Sequence, residues 1–260
     1  MPASNRSLIA VTRDVSAALE RCELTHLPRT RIDLTRARAQ HDAYERCLAE
    51  AGCRVERLAA DDTMPDSVFV EDIASVFDEL AVIARPGAES RRAETPAIAA
   101  ALGRHRRLRC IESPGTVDGG DVLVAGRRVF VGQSGRTNAA GIDQMRQILG
   151  PFGYTVQGVG VTGCLHLKSA VTTVADGLLL MNRAWTTADE FRDFTIVDVD
   201  AAEPFAANAL RLGDLIVFPA AFPRTRERLE AHGLRIRVVE ADELAKAEGG
   251  VTCCSLIVAV

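Results

Sequence analysis

The segment Ser113–Gly132, SPGTVDGGDVLVAGRRVFVG, reads as a polar, glycine-rich loop that opens directly into a hairpin. Asp121 to Val124 and Val129 to Gly132 are short runs rich in β-branched residues, and Gly126 with Arg127 supplies the turn between them. Ahead of the loop stand a helical pattern from Glu89 to Gly103 and a strand pattern from Arg107 to Ile111. Behind the hairpin, a helical pattern from Thr137 to Gly150 leads into a strand from Thr155 to Val159.

The same succession of helix, strand, polar loop and hairpin recurs along the chain. Further helical patterns run from Asp33 to Gly52, Ala201 to Ala207 and Arg224 to Gly233, and several close on glycine as a C-terminal cap would. Arg54 to Leu58 and Arg235 to Val239 read as strands. About five copies at a spacing near 45 residues predict an α/β repeat or propeller architecture. No linker or low-complexity stretch interrupts them, so residues 1–260 are expected to form a single domain. Equivalent loops of a closed radial fold open toward one axis, which lets groups distant in sequence meet. Those loops are PDSVFVED (Pro65–Asp72), VDGGD (Val117–Asp121), CLHLK (Cys164–Lys168), AAN (Ala206–Asn208) and GGVTCC (Gly249–Cys254).

Composition narrows the function classes. A formal net charge of -4 without a basic run argues against a nucleic-acid partner. No apolar run reaches the roughly 18 residues needed to cross a bilayer. The opening MPASNRSLIAVTRD lacks the apolar stretch of a signal peptide, so a cytoplasmic location is expected. The seven cysteines are odd in number and none has C-x-x-C spacing, which suits free thiols in a reducing compartment.

Chemistry concentrates in the loops. Cys253 and Cys254 follow a glycine pair and precede an apolar strand, where one of them could serve as a nucleophile. A cysteine nucleophile needs a base to form the thiolate, and the base needs a partner that holds its tautomer. Of the five histidines only His166 lies in one of the repeated loops, which makes it the candidate base. Asp118, followed by Gly119 and Gly120 that allow close backbone approach, is the candidate orienting acid. Asp121 in the same loop reads as an acceptor for neighbouring backbone. If strand alternation extends through the two cysteines, only one faces the axis, and periodicity does not say which.

PDSVFVED, RPGAESRR, SPGTVDGGDVL, GRTNAAG, LHLK and GGVTCCSL, in this order, resemble the dimethylarginine dimethylaminohydrolase family of the pentein, or guanidine-modifying, superfamily. The resemblance spans about Ser7 to Ile257 and implies a five-bladed α/β propeller around a central channel. It also implies that Cys253 is the nucleophile, His166 the general acid and base, and Asp118 the carboxylate that completes the triad, with Cys254 facing away. By the same similarity Glu71 and Asp72 belong at a guanidinium, Asp66 near an α-amino group, and Arg91 and Arg136 on an α-carboxylate. Arg13 to Leu27 resembles the family's lid, with Leu19 as a backbone contact to substrate. Ala247 resembles another backbone contact, and its small side chain is expected to loosen that edge of the pocket.

The activity so implied is hydrolysis of Nω-methylated arginine to citrulline and an amine through an S-amidino cysteine, with a small molecule as the only partner, no cofactor and no catalytic metal. A zinc centre on Cys253, Cys254 and His166 is disfavoured because adjacent side chains diverge, and whether adventitious zinc at Cys253 and His166 inhibits is left open by the sequence. The rival readings are an arginine deiminase-like hydrolase of another guanidine and a non-catalytic propeller that binds arginine derivatives. A monomer or homodimer, off the membrane, is expected.

Overall fold

The computed structural model describes residues 7–260. The chain enters on β1 (Leu8–Arg13), crosses through α1 (Leu34–Glu50) and returns parallel on β2 (Cys53–Leu58). Next come β3 (Ala74–Val76), β4 (Leu80–Ile83), α2 (Thr95–Leu102) and β5 (Arg107–Cys110), followed by β6 (Val122–Ala125), β7 (Arg128–Gln133), α3 (Ala139–Leu149) and β8 (Thr155–Gly160). A single turn, α4 (Leu167–Ala170), precedes β9 (Val171–Ala175), β10 (Leu178–Met181) and β11 (Thr195–Asp198). Then follow β12 (Leu210–Leu212), β13 (Leu215–Pro219), α5 (Pro223–Ala231), β14 (Arg235–Val239), α6 (Asp242–Ala245) and the last strand, β15 (Leu256–Ala259).

These strands make five three-stranded sheets of one design: an antiparallel pair whose second member crosses over to a parallel third. In the sheet β15-β1-β2 the antiparallel pair joins the two ends of the chain, with Leu8 opposite Ala259. Apolar clusters then link the sheets in sequence. Ile9 and Val258 pack with Ala81 and Ile83, Val82 with Val129 and Val131, Phe130 with Leu179, and Leu180 with Ile216 and Phe218. A fifth cluster brings Leu212 and Val217 back to Ala10, which closes the ring. Each large buried side chain in these seams removes enough apolar surface to contribute roughly 1.5–3 kcal/mol, so the interfaces between sheets carry the fold.

Local chemistry explains the element ends. Asp33 caps α1 by accepting from the Arg36 amide at 3.1 Å, and beyond the helix Gly52 takes φ +95°, which a residue with Cβ adopts at a cost. Gly126 at φ +63° makes the turn between β6 and β7. The expected helix from Ala201 to Ala207 is absent: the segment forms successive turns, in which the Glu203 amide donates to the Asp200 carbonyl at 2.8 Å while the Glu203 carboxylate serves the next helix. That carboxylate accepts from the amides of Arg224 (2.9 Å) and Thr225 (2.7 Å), capping α5, and Pro204 removes a donor that a helix here would use. The crossover from β10 to β11 also lacks an α-helix, and its 3-10 turn Ala188–Phe191 packs Phe191 on Phe130 with ring centroids 4.6 Å apart.

Candidate active site

The five polar loops all end where the first strand of a sheet's antiparallel pair begins, just ahead of β3, β6, β9, β12 and β15. A four-residue turn at Val70–Ile73, a three-residue turn at Gly119–Asp121 and α4 brace three of the loops at this end, and Asp66–Asp72, Asp118, His166, Asn208 and Cys253 enter from different sheets. Gly119 and Gly120 permit the approach. A Cβ on Gly119 would lie 2.0 Å from the Glu71 carbonyl oxygen, and one on Gly120 would lie 2.5 Å from Nδ1 of His166.

His166 is buried between carboxylates. Its Nε2 is 3.1 Å from Oδ2 of Asp118, and its Nδ1 is 3.5 Å from Oδ1 of Asp72. Burial opposes its protonation, but Asp72, Asp118 and Asp121 outweigh this and hold the imidazole pKa up at about 9. The other oxygen of Asp118 accepts from the Gly87 amide at 2.9 Å, and the residue is fully buried. Asp121 accepts from the Leu167 amide (2.9 Å) and the Ser134 hydroxyl (2.6 Å), the backbone-acceptor arrangement read from sequence.

Cys253 and Cys254 lie in a turn rather than on the following strand, so alternation does not decide between them. The turn does. Cys253 lines a cleft with His166, Asp72, Asp66, Arg91, Arg136 and Ala247, while Cys254 sits in the core and donates its thiol to the Gly250 carbonyl at 3.7 Å. The Gly250 amide donates to Sγ of Cys253 at 3.3 Å. Burial first, then Glu71 and Asp72, push the Cys253 thiol up to about 12. It is therefore a thiol at neutral pH until a cation arrives beside it.

Three candidates lie away from the cleft wall. Asp118 stands behind His166. Leu19 is fully buried in the apolar core, and the residue of its segment that reaches the cleft is Glu23. Glu71 has both oxygens engaged, one by Lys168 Nζ at 2.5 Å and one by the Thr252 hydroxyl at 2.6 Å, and burial raises its pKa. Arg91 borders the cleft, but its guanidinium serves protein partners: Asp72 at 2.5 Å, Glu94 at 2.7 Å and the carbonyls of Asp66 and Phe69. It fixes the acidic loop and, with His166, keeps Asp72 ionised against its burial. Burial lifts the Asp66 carboxyl to about 6, although it accepts from the Glu23 amide at 3.2 Å. Arg136 faces Glu23 at 3.5 Å and Asp118 at 3.9 Å.

Residues that sequence reasoning passed over complete the arrangement. Asn208 donates to the Thr252 hydroxyl (2.9 Å) and the Lys168 carbonyl (3.1 Å) and accepts from the Thr252 amide (3.0 Å), so it ties the turn carrying Cys253 to the loop carrying His166. Lys168 and Asn208 were visible as polar members of the recurrent loops LHLK and AAN. Donor atoms of Asp72, Asp118 and His166 lie within 4.8 Å of one another, a spacing that could close on a cation. Asp72 is nonetheless already paired with Arg91, and a protonated imidazole offers no lone pair.

A family model described as N,N dimethylarginine dimethylhydrolase, eukaryotic, matches residues 27–258. The chain belongs to the dimethylarginine dimethylaminohydrolase family. It is 40% identical over 252 residues to the N(G),N(G)-dimethylarginine dimethylaminohydrolase of Streptomyces coelicolor, covering 95% of each chain. It is 38% identical over 226 residues to that of Pseudomonas aeruginosa, covering 86% of this chain and 89% of the other. A solved structure of a dimethylarginine dimethylaminohydrolase from Pseudomonas aeruginosa, a cysteine-to-serine mutant complexed with citrulline, superposes with a TM-score of 0.91 at 36% identity over 96% of this chain and 98% of that one. The N-terminal domain of a cyanobacterial arginine dihydrolase shares the fold at a TM-score of 0.86 and 19% identity, covering 97% of this chain and 98% of that one. The α/β recurrence read from the loops and the pentein fold implied by the resemblance are therefore those of the dimethylarginine dimethylaminohydrolase family, whose members are hydrolases of C–N bonds.

Proposed function

We propose that the protein hydrolyses Nω-methylated arginine to citrulline and dimethylamine or methylamine, with Cys253 as nucleophile, His166 as acid and base, and Asp118 orienting the imidazole. The observation that carries this reading is one cleft that holds the Cys253 thiol and the His166 imidazole, backed by Asp118, beside the carboxylates of Asp66 and Asp72 and the cation of Arg136. Asp72 suits the substrate guanidinium, while Asp66 and Arg136 suit the α-amino and α-carboxylate groups. Arg91 supports the site by holding Asp72, and Glu71 by holding the turn that carries Cys253.

The guanidinium cation arriving beside Cys253 lowers the thiol pKa, and the thiol proton leaves to solvent. The thiolate attacks the guanidinium carbon to form a neutral tetrahedral adduct. The His166 imidazolium then gives its proton to the methylated nitrogen, which departs as the free amine and leaves an S-amidino cation. Neutral His166 next takes a proton from water as that water adds to the same carbon. Collapse breaks the C–S bond, releases citrulline and a proton, and restores the thiolate. Splitting one hard displacement into two steps is what a covalent intermediate provides.

All seven cysteines are unpaired, in keeping with a reducing compartment such as the cytoplasm, and no helix among the described residues is long and apolar enough to cross a membrane. Citrulline production from asymmetric dimethylarginine, monomethylarginine, arginine and agmatine tests the assignment. The methylated substrates are expected to turn over fastest. Faster turnover of arginine or agmatine would move the protein to the deiminase reading, and no turnover of any would favour a binding propeller.

A further inference from the structure

The cleft around Cys253 encloses only about 20 Å³, room for about one water, so an arginine-sized substrate enters only when part of the wall moves. The wall from the N-terminal segment is Glu23, and residues 23–27 are held to the body by polar contacts. The Glu23 amide donates to Asp66, and Arg136 reaches the Thr25 hydroxyl at 3.3 Å. The densest anchor is Glu248. Its Oε1 accepts from the amides of Thr25 (3.1 Å), His26 (2.5 Å) and Leu27 (2.6 Å), and its Oε2 also accepts from the Thr25 amide at 3.1 Å.

Glu248 is also the one non-glycine residue with a positive φ among the described residues, at 60°. That conformation disfavours any residue with a Cβ, and glycine would adopt it freely. A glutamate kept there points to a task for its side chain. It lies between Ala247 and Gly249, and all three line the cleft. One strained residue thus connects the chain leading to Cys253 with the segment that roofs it.

We propose that Glu248 is a positioning residue of the reaction: its carboxylate latches residues 23–27 over the cleft, and the latch opens and closes with each turnover. The proposal rests on reading the cleft as catalytic. Closure over the bound substrate would shield the S-amidino intermediate and hold the amino-acid end against Asp66 and Arg136.

Glu248→Gly tests it, because glycine suits the backbone and removes only the carboxylate. Amide hydrogen exchange of Thr25, His26 and Leu27 should quicken by at least about tenfold. Alkylation of Cys253 by iodoacetamide without substrate should quicken by at least about threefold as the roof opens, and KM for methylarginine should rise at least about fivefold. Glu248→Gln, which keeps the shape and one acceptor oxygen, should fall between, and Glu248→Asp should recover part of the protection. Unchanged exchange at these three amides in Glu248→Gly would overturn the latch. Exchange and alkylation need no turnover, so a parent protein inactive on methylarginine would remove the catalytic reading and leave those two measurements to decide the latch.

Discussion

Asp118 and His166 meet at 3.1 Å inside the ring of sheets, and the second oxygen of Asp118 is held by the Gly87 amide at 2.9 Å. Each partner of the carboxylate leaves it one orientation. The imidazole therefore presents Nε2–H to Asp118 and turns its other nitrogen toward Asp72 and the cleft. Both ring nitrogens facing carboxylates is the physical reason this histidine rests as an imidazolium.

Replacing Asp118 by Asn keeps the volume but removes the charge and permits the wrong imidazole tautomer. The kcat for methylarginine should fall on the order of 10²- to 10⁴-fold. Steady-state kinetics beside a thermal melt separates this from loss of fold: a near-parent kcat in a folded Asp118→Asn protein would contradict the role.

Because His166 titrates at about 9 and must be protonated to expel the amine, kcat should decline on the alkaline side as pH rises through that value. Cys253, pushed up to about 12 before substrate arrives, should show iodoacetamide alkylation that keeps climbing over the same range. A pH–rate profile and an alkylation profile on one preparation check this pair of opposite trends, and parallel trends would refute the assignment of the two groups.

Gly120→Ala should damage catalysis more than stability. The new Cβ would sit 2.5 Å from Nδ1 of His166 and 2.6 Å from Oδ1 of Asp72, closer than real contacts allow, so the ring or the carboxylate must shift. A displacement of this size at a reacting group costs about 10²-fold in kcat, readable by kinetics with circular dichroism as the control. Full activity would show that the ring is not held where the structure has it.

The parts of this architecture legible in sequence were those that repeat or that need a special residue. Recurrent loops before hairpins pointed to the radial plan, and Asp118, His166 and the Cys253–Cys254 pair stood out because each occupies an equivalent loop, while the family resemblance alone chose Cys253 from the pair. Gly119 and Gly120 signalled close backbone approach, and the structure has the Glu71 carbonyl and the His166 ring against them. Pairings between distant side chains left no such trace. Nothing in GAESRR says that Arg91 spends its guanidinium on Asp72 and Glu94, or that Lys168 and Thr252 occupy Glu71. Composition made Ala201–Ala207 look helical, yet Glu203 is used to cap α5 across 21 residues of sequence. The left-handed backbone of Glu248 carries no sequence mark because glycine, the residue that would announce it, is absent there.

The claim on which the rest depends is that the Cys253 sulfur becomes covalently joined to the substrate's guanidinium carbon. Acid-quenching the protein during turnover of asymmetric dimethylarginine and mapping the peptide containing Thr252–Ser255 by mass spectrometry tests it. The account predicts an amidino adduct on Cys253 that disappears as substrate is exhausted and never forms in Cys253→Ser. An adduct on Cys254, or undiminished citrulline production by Cys253→Ser, would contradict it.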